Sequence, residues 1–178
     1  MTTGLPPAGL SPAESVVVTS LELDIVGVSE RRNGWRYGSA LELLLDVGRL
    51  FRPTPWHSGE LQGDAGRCYI ESVSRACAGD GLAYVEGLAW DGLKPRRHAW
   101  CGDAAGAAID PTWRDPGTAY LGLPVDARTA SDLMGHQGGP LLHDGMPLLG
   151  EWLRHGVPGE LLVDCGRPVP RASAGPSR

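Results

Sequence analysis

The sequence predicts one domain of the α+β class. Two observations lead to this prediction. Apolar residues recur at helical spacing in residues 39–51 and 67–81. Residues 82–113 have side chains that alternate between two faces, as in strands, and are interrupted by two tight turns, which is typical of an antiparallel meander. The chain has 178 residues, which is long enough for one hydrophobic core and short for two. We therefore expect helices packed on an antiparallel sheet.

Both ends of the chain lack apolar periodicity. Residues 1–14 are rich in Pro, Gly and Thr, and residues 166–178 have a similar composition of Pro, Gly, Ser and Ala. Such segments bury too little apolar surface to offset the entropy of ordering them. We predict a folded domain at 15–165 between two disordered tails.

Charge and hydropathy argue against two classes of partner. The formal net charge is −5, with 16 Lys and Arg against 21 Asp and Glu, whereas binding to a phosphate backbone needs concentrated basic residues. No apolar run approaches the roughly 18 residues of a membrane span, and the N-terminus has no secretory signal pattern. We expect a cytoplasmic protein that binds neither nucleic acid nor membrane, and whose 4 cysteines are reduced thiols.

The first half of the chain predicts one extended segment and one helix. Residues 16–28, VVVTSLELDIVGV, are β-branched and partly alternating, which predicts a strand or a strand pair. Ser39 and Glu42 have the spacing of a capping box, and apolar residues follow at helical spacing until Pro53. This pattern predicts an amphipathic helix of roughly three turns over residues 39–51.

A second helix and the meander follow. In RCYIESVSRACAGDG the apolar residues share one helical face, which predicts a helix with Cys68 at or near its N-terminus. Residues 82–90, 96–102 and 107–113 then predict three antiparallel strands. A short strand before residue 125, and a short helix or an irregular packed segment within 147–158, complete the expected elements.

The second turn of the meander predicts a contact between a histidine and an aspartate. A turn centred on Ala104 pairs His98 with Asp110, and a centre half a residue later pairs it with Pro111. Facing side chains on neighbouring strands have Cβ atoms roughly 4.5 to 5.5 Å apart. Either register therefore leaves the Asp110 carboxylate beside the imidazole.

The first turn predicts what covers that histidine. A two-residue turn at Asp91-Gly92 pairs His98 with Val85, on a strand face of small side chains. A helix can pack closely on such a face. We expect the helix that begins at Cys68 to lie there, and Glu86, on the opposite face, to be exposed to solvent.

These placements predict a nucleophilic site. The free N–H groups of a helix N-terminus and a facing histidine both favour the thiolate form of a cysteine. Cys68 would then be the nucleophile, His98 the base and Asp110 the group that orients the ring. Gln62 is the candidate side-chain donor to the oxyanion, and Trp100 is a candidate wall of the thiol pocket or a core residue.

A zinc site is the competing interpretation, because thiolates and imidazole are good zinc ligands. It would use Cys68, His98 and Cys101. However, His98 and Cys101 are three residues apart on a strand, so their side chains point to opposite faces, and the chain has no CxxC pair. We expect no metal and no cofactor.

Five motifs in order carry a family resemblance: GRCYIES, YVEGLAW, HAWCGD, IDPTW and YLGLPV. Together they resemble the papain-like superfamily, most closely its transglutaminase-like branch, and within it a group of bacterial and phage proteins. The resemblance runs from about residue 64 to 125. Glu71-Ser72 departs from the small polar pair expected there, such as Asn-Ala.

The resemblance implies a papain-like core and a thiol enzyme that uses Cys68, His98 and Asp110. The substrate would be a small-molecule, peptide or carrier-bound acyl compound, and the reaction hydrolysis or acyl transfer to an amine, which share their first half. A noncatalytic binding or accessory protein that retains the fold is the alternative. The sequence leaves the oligomeric state open.

Overall fold

The structure is a computed structural model that describes residues 9–28, 33–55, 62–64, 66–79 and 81–170. The helices are α1 (Pro12–Val28), α2 (Ala40–Val47), α3 (Cys68–Ala78), α4 (Ala127–Gln137) and α5 (Pro147–His155), with a 3-10 helix at Gly159–Leu161. The strands are β1 (Arg49–Pro53), β2 (Ala83–Trp90), β3 (Pro95–Gly102), β4 (Ala107–Ile109), β5 (Ala119–Val125) and β6 (Arg167–Pro168). The predicted α+β class is confirmed.

The sheet closes on itself. Its strands lie in the order β4-β3-β2-β5-β1-β6, and a further pairing of β4 with β1 joins the first five into a small barrel. The β1–β4 pairing is parallel, whereas the other pairings are antiparallel. The barrel interior holds Phe51, Trp100 and Tyr120. Glycine at position 122 makes room for them, because a Cβ there would lie 2.6 Å from the Trp100 ring.

Helices cover the outer face of the barrel and form the larger core. Leu43 and Leu44 of α2 pack there with Leu121 and Leu123 of β5. Ala76 of α3 joins the same cluster. Residues of the sheet thus alternate between a small interior core and an outer helix-covered core, as the two faces of a strand require.

The segment predicted as a strand at 16–28 is helix α1, so that prediction is wrong. Ser11 N donates to Glu14 Oε2 (2.7 Å) and Glu14 N donates to Ser11 Oγ (3.3 Å), which is a reciprocal capping box, with Pro12 as the first helical residue. Val17 and Leu21, one turn apart, are buried. Packing of this face overrides the strand preference of β-branched residues.

The ordered structure extends beyond 15–165 on both sides. Helix α1 begins at Pro12, and β6 pairs with β1 at Arg49 and Leu50. The side chains of Glu14 and Arg167 form an ion pair between the two ends. The inner parts of both predicted tails therefore belong to the fold, while residues 1–8 and 171–178 lie outside the described residues.

The predicted helix at 39–51 is half correct. Ser39 caps α2 by accepting from Glu42 N, which confirms the predicted cap, while Glu42 Oε2 accepts from Gly38 N (2.7 Å), one residue before the N-cap. The helix ends at Val47, and residues 49–53 are strand β1. Both faces of β1 are covered, so Leu50 and Phe51 are both buried. A continuous apolar run of this kind does not distinguish a strand from a helix.

The meander β2-β3-β4 is antiparallel, as predicted, but both registers differ from the prediction. The first turn spans four residues, because Asp91 Oδ1 accepts from the backbone N–H groups of Leu93 and Lys94 (both 2.8 Å). His98 therefore pairs with Gly87 and not with Val85.

In the second hairpin Cys101 pairs with Ile109, where β4 ends. The strand pairing therefore stops before it reaches His98 or Asp110. The prediction that these two residues face each other within the ladder is wrong, although their side chains do meet, as described below.

Helix α3 begins at Cys68, as predicted, but lies on the other face of the sheet. The Cys101 thiol, which points away from the barrel interior, contacts the Ser72 carbonyl of α3 at 3.3 Å. The interior face could not take a helix, because Trp100 and its neighbours fill it. Since β4 covers β3 only at Cys101 and Gly102, the edge of β3 beside His98 is open to the start of α3.

Two helices follow β5. Helix α4 was not predicted, although Asp126 caps it by accepting from Thr129 N (2.9 Å). Helix α5 lies within the predicted segment 147–158 and buries Leu149 and Trp152. None of the helices in the described part of the chain is long and apolar enough to cross a membrane.

Candidate active site

Cys68 is the first residue of α3, and its side chain is buried. No side chain caps this helix at Arg67. The N–H groups of the first turn have no partner within a helix and carry its partial positive charge. The thiol thus lies at the positive end of the helix dipole.

His98 and Asp110 form a buried pair, each 3% exposed. The ring nitrogen Nε2 of His98 lies 2.6 Å from Oδ2 of Asp110. Strand β4 ends at Ile109, so Asp110 is free of strand pairing and its carboxylate can turn toward His98. This places an acceptor beside the imidazole without strand pairing.

Five hydrogen bonds fix the Asp110 carboxylate. Its Oδ2 accepts from His98 and from the Tyr120 hydroxyl (3.1 Å). Its Oδ1 accepts from Thr112 N (2.9 Å), Thr112 Oγ1 (3.1 Å) and Trp113 N (3.0 Å). A carboxylate held this way cannot rotate without losing several bonds, so it fixes the orientation of the imidazole.

The pair favours opposite charges. Burial raises the pKa of Asp110, but the hydrogen bond and charge of His98, together with the backbone donors, outweigh it, so the pKa lies below its usual value. Burial lowers the pKa of His98, but its bonds to Asp110 and Cys68 raise it to about 9. Both shifts favour an imidazolium paired with a carboxylate.

The thiol of Cys68 lies near the imidazole, because Cys68 and His98 line the same cleft and the thiol is among the groups that raise the pKa of His98. Because Nε2 is bound to Asp110, the nitrogen left for the thiol is Nδ1. The order carboxylate, imidazole, thiol is that of a charge-stabilised nucleophile. The structure thus brings together Cys68, His98 and Asp110.

An open cleft of about 540 Å³ gives access to Cys68 and His98. Two arginines on β3 line it, each held by a carboxylate: Arg96 by Asp91 and Arg97 by Asp144, both at 2.7 Å. The cleft is therefore polar and open on this side, with its arginines fixed by partners.

The tryptophan that borders the thiol is Trp113. Its ring stacks on the His98 ring with centroids 4.3 Å apart, and it lines the cleft. Trp100, the sequence candidate for this wall, is fully buried and contacts Phe51 and Tyr120 in the barrel interior. Trp113 follows the aspartate by three residues, but the sequence did not show that the chain leaves the strand there and brings this ring over His98.

Gln62 lies beside the site, with its amide engaged elsewhere. Its Nε2 donates to the Thr112 carbonyl at 3.1 Å, and Gly63 N donates to the Pro111 carbonyl at 2.7 Å. These bonds tie the segment before α3 to the turn that carries Asp110. Gln62 is not among the residues that line the cleft around Cys68. Its role as oxyanion donor stays a prediction.

Glu86 is buried at 3% exposure, so its predicted solvent exposure is wrong. It does lie on the face opposite His98. Its Oε2 accepts from the Tyr84 hydroxyl (2.7 Å) and Leu141 N (2.8 Å), and its Oε1 accepts from Leu142 N (2.8 Å). Burial raises the pKa of Glu86, and these donors oppose the shift only in part.

The other three cysteines are placed differently. Cys101 and Cys165 are buried, and burial raises the pKa of Cys101 to about 12 and that of Cys165 to about 11. Cys77 is exposed on α3. Cys101 points away from His98, so the zinc set considered above does not converge. Across the described residues, no group of three or more His, Cys, Asp or Glu is arranged to hold a metal ion.

No family model, curated protein or solved structure matches this chain.

Proposed function

We propose that this chain is a cysteine-dependent acyl-transfer enzyme with a papain-like core, most similar to the transglutaminase-like branch. The observation that supports it most is the buried His98–Asp110 pair, whose imidazole lines the same open cleft as the Cys68 thiol. A buried ion pair is costly to a fold and needs a compensating role. Activation of a nucleophile is such a role.

The first half-reaction forms a thioester. The Cys68 sulfur attacks the acyl carbon of an amide, ester or thioester, and the carbonyl electrons move to its oxygen. The free N–H groups at the start of α3 stabilise that oxyanion. When the carbonyl re-forms, His98 gives its Nδ1 proton to the leaving amine, alcohol or thiol, and the acyl group remains on Cys68.

The second half-reaction releases the product. His98, now neutral, takes a proton from water or from an incoming amine, which attacks the thioester carbon. Collapse of the tetrahedral intermediate expels the Cys68 thiolate and returns the imidazolium form. Asp110 stays ionised throughout and acts as the positioning residue for the ring.

The fold supports the same proposal in outline. A helix begins at the nucleophile and packs on an antiparallel sheet whose strand β3 carries the histidine, and the aspartate follows the next strand. The order cysteine, histidine, aspartate is that of the resemblance described above. A small-molecule, peptide or carrier-bound acyl substrate, and a cytoplasmic location that keeps thiols reduced, belong to this proposal.

Acylation by p-nitrophenyl acetate tests the proposal. After brief reaction and acid quench, mass spectrometry of the intact chain and its peptides should find one acetyl group, on Cys68. Cys68→Ala should remove it, and His98→Gln, whose amide can still donate to Asp110, should slow it at least about tenfold.

The other outcomes separate the alternatives. Acetylation of exposed Cys77 at the same rate as Cys68 would overturn the proposal. An acetylation rate of Cys68 that does not change in His98→Gln would also overturn the proposal, and would favour a noncatalytic protein that retains the fold.

A further inference from the structure

A second, narrow pocket lies next to the cleft. Its apolar lining residues are Ala40, Leu41, Leu44, Leu88 and Leu142, and its remaining lining residues are Tyr69, Glu86, Gly87, Arg97 and His143. The space inside is only about 20 Å³. A space of that size holds roughly one water molecule or one methyl group.

Tyr69 and Arg97 line both spaces, so the pocket and the cleft adjoin at these two side chains. Tyr69 directly follows Cys68, on the first turn of α3. The narrow pocket is therefore an apolar space that adjoins the cleft at the residue next to Cys68.

The pocket is held in place by a buried carboxylate. Glu86 accepts the N–H groups of Leu141 and Leu142 and so fixes the loop that supplies one wall. The same loop holds Arg97, which donates to the Leu142 carbonyl (2.8 Å) and pairs with Asp144. Because Glu86 and Arg97 hold this loop in place, the pocket wall is preformed, which reduces the entropic cost of binding a ligand.

The pocket offers little to a charged or large group. Its one buried carboxyl, on Glu86, already accepts three hydrogen bonds, and the side chains around it are largely aliphatic. A polar substituent would lose its hydration there, and the Glu86 and Arg97 side chains already have hydrogen-bond partners. The chemistry and size together select a small, uncharged, apolar group.

We propose that this pocket is the subsite for the substituent next to the reacting carbonyl, and that the substrate is an acyl compound with a methyl-sized side chain there, as in an alanyl group. This rests on the proposed function, since it takes Cys68 as the nucleophile. Tyr69 and Leu41 are then specificity-determining residues, and Arg97 is fixed at the boundary of the subsite.

A series of N-acetyl aminoacyl chloromethyl ketones tests the subsite. The Cys68 sulfur forms a bond to the methylene carbon and chloride leaves, so each probe places its side chain next to the carbonyl. The probes carry the side chains of Gly, Ala, Val, Leu and Phe. Each rate is divided by that of free cysteine with the same probe, which removes differences in intrinsic reactivity.

The Ala probe should react fastest, and the Leu and Phe probes at least about tenfold more slowly. Leu41→Ala enlarges the pocket and should move the optimum to Val or Leu. Leu45→Ala is the matched control, because Leu45 is also a half-buried leucine of α2 but does not line the pocket. Leu45→Ala should leave the order of the probe rates as it is in the unmodified chain.

Iodoacetamide, which has no side chain, separates failure of the subsite from failure of the function. If iodoacetamide labels Cys68 rapidly and in a His98-dependent way, while the five ketones react within twofold of one another, the subsite is refuted and the nucleophile stands. An optimum at Leu or Phe in the unmodified chain, or an equal shift in Leu45→Ala, also refutes it. If Cys68 is inert to iodoacetamide, both proposals fail.

Discussion

Asp110 and Glu86 are two buried carboxylates with opposite electrostatic behaviour. Both are 3% exposed, and burial is the largest influence on both pKa values, which it raises. Asp110 ends with a lowered pKa because an imidazole is among its partners, whereas Glu86 has only neutral direct donors and ends with a raised one. A charged partner, rather than the number of hydrogen bonds alone, decides whether a buried acid holds its charge.

The two carboxylates hold different parts of the molecule in place. Asp110 orients the imidazole at the cleft, which is a chemical role under the proposed function, whereas Glu86 holds the loop at residues 141–142 in place, which is a structural role. Substitutions matched between the two sites should therefore differ in their effect on Cys68.

The largest difference is expected for Asp110→Asn against Glu86→Gln. Three donors from Thr112 and Trp113 hold Oδ1 of residue 110, so the new amide group must face His98. Nε2 of His98 must then accept a hydrogen bond and so carries no proton, which disfavours the imidazolium form of the ring. Alkylation of Cys68 by iodoacetamide at pH 7 should fall about 100-fold, while Glu86→Gln should keep it within about threefold. Equal losses in both variants would mean that the carboxylates act alike.

Stability against pH should separate the two sites by the interval over which it falls as pH rises, which is from about 6.5 to 9 for the His98–Asp110 pair and from about 4.3 upward for Glu86. The pKa of His98 is raised to about 9, so its contribution is complete below its unfolded value near 6.5 and is lost as pH rises through about 9. The unfolding free energy of the wild type relative to His98→Gln should fall by about 3 kcal/mol over that interval. At acid pH the contribution of Asp110, whose pKa is lowered, is lost as pH falls through its folded value.

Glu86 has a raised pKa, so the wild type should lose stability relative to Glu86→Gln as pH rises from about 4.3 through the folded value. Urea unfolding at intervals from pH 4 to pH 10 measures both slopes. Differences that do not change with pH would contradict the assigned charges.

A smaller effect is expected from Trp113→Ala. The indole stacks on His98 and keeps water from one face of the ring. Its removal should lower the alkylation rate of Cys68 about fivefold, because water then competes for the bond to Asp110. Trp113→Phe retains a ring and should recover most of the rate. A loss as large in the Phe variant would indicate a role other than stacking.

The smallest difference is expected between the two tyrosines that donate to these acids. Tyr120→Phe removes one of five bonds to Asp110, and Tyr84→Phe removes one of three to Glu86. Each should cost about 1 to 3 kcal/mol of unfolding free energy, since each leaves a buried acceptor short of a donor. Only Tyr120→Phe should lower the alkylation rate, by about two- to threefold. A loss of rate in Tyr84→Phe would link the two sites.

The sequence predicted the local elements of the site better than their packing. Cys68 at a helix start and the two hairpins follow from periodicity and turn residues, which act over a few positions. The face on which α3 packs depends on Trp100 filling the barrel interior, and no local pattern reports that. The burial of Glu86 depends on backbone donors 55 and 56 residues later.

Two of the errors had local signals. Ser11, Pro12 and Glu14 have the spacing of a helix start, but the β-branched run after them favoured a strand. The Asp91 side chain can close a longer turn by accepting hydrogen bonds from the backbone N–H groups two and three residues later. The pair Asp91-Gly92 is also typical of a two-residue hairpin turn. In both places two patterns competed: packing of the Val17 and Leu21 face favoured the helix, and the Asp91 side-chain bonds closed the longer turn.

The central claim is that His98 and Asp110 activate Cys68. Its most direct test is the rate of iodoacetamide labelling at pH 7, measured by peptide mass spectrometry for Cys68 and for exposed Cys77 in the same chain. Cys68, although buried, should react at least about tenfold faster than Cys77, and His98→Gln should abolish the difference. Equal rates in the unmodified chain, or an advantage of Cys68 that survives His98→Gln, would contradict the account.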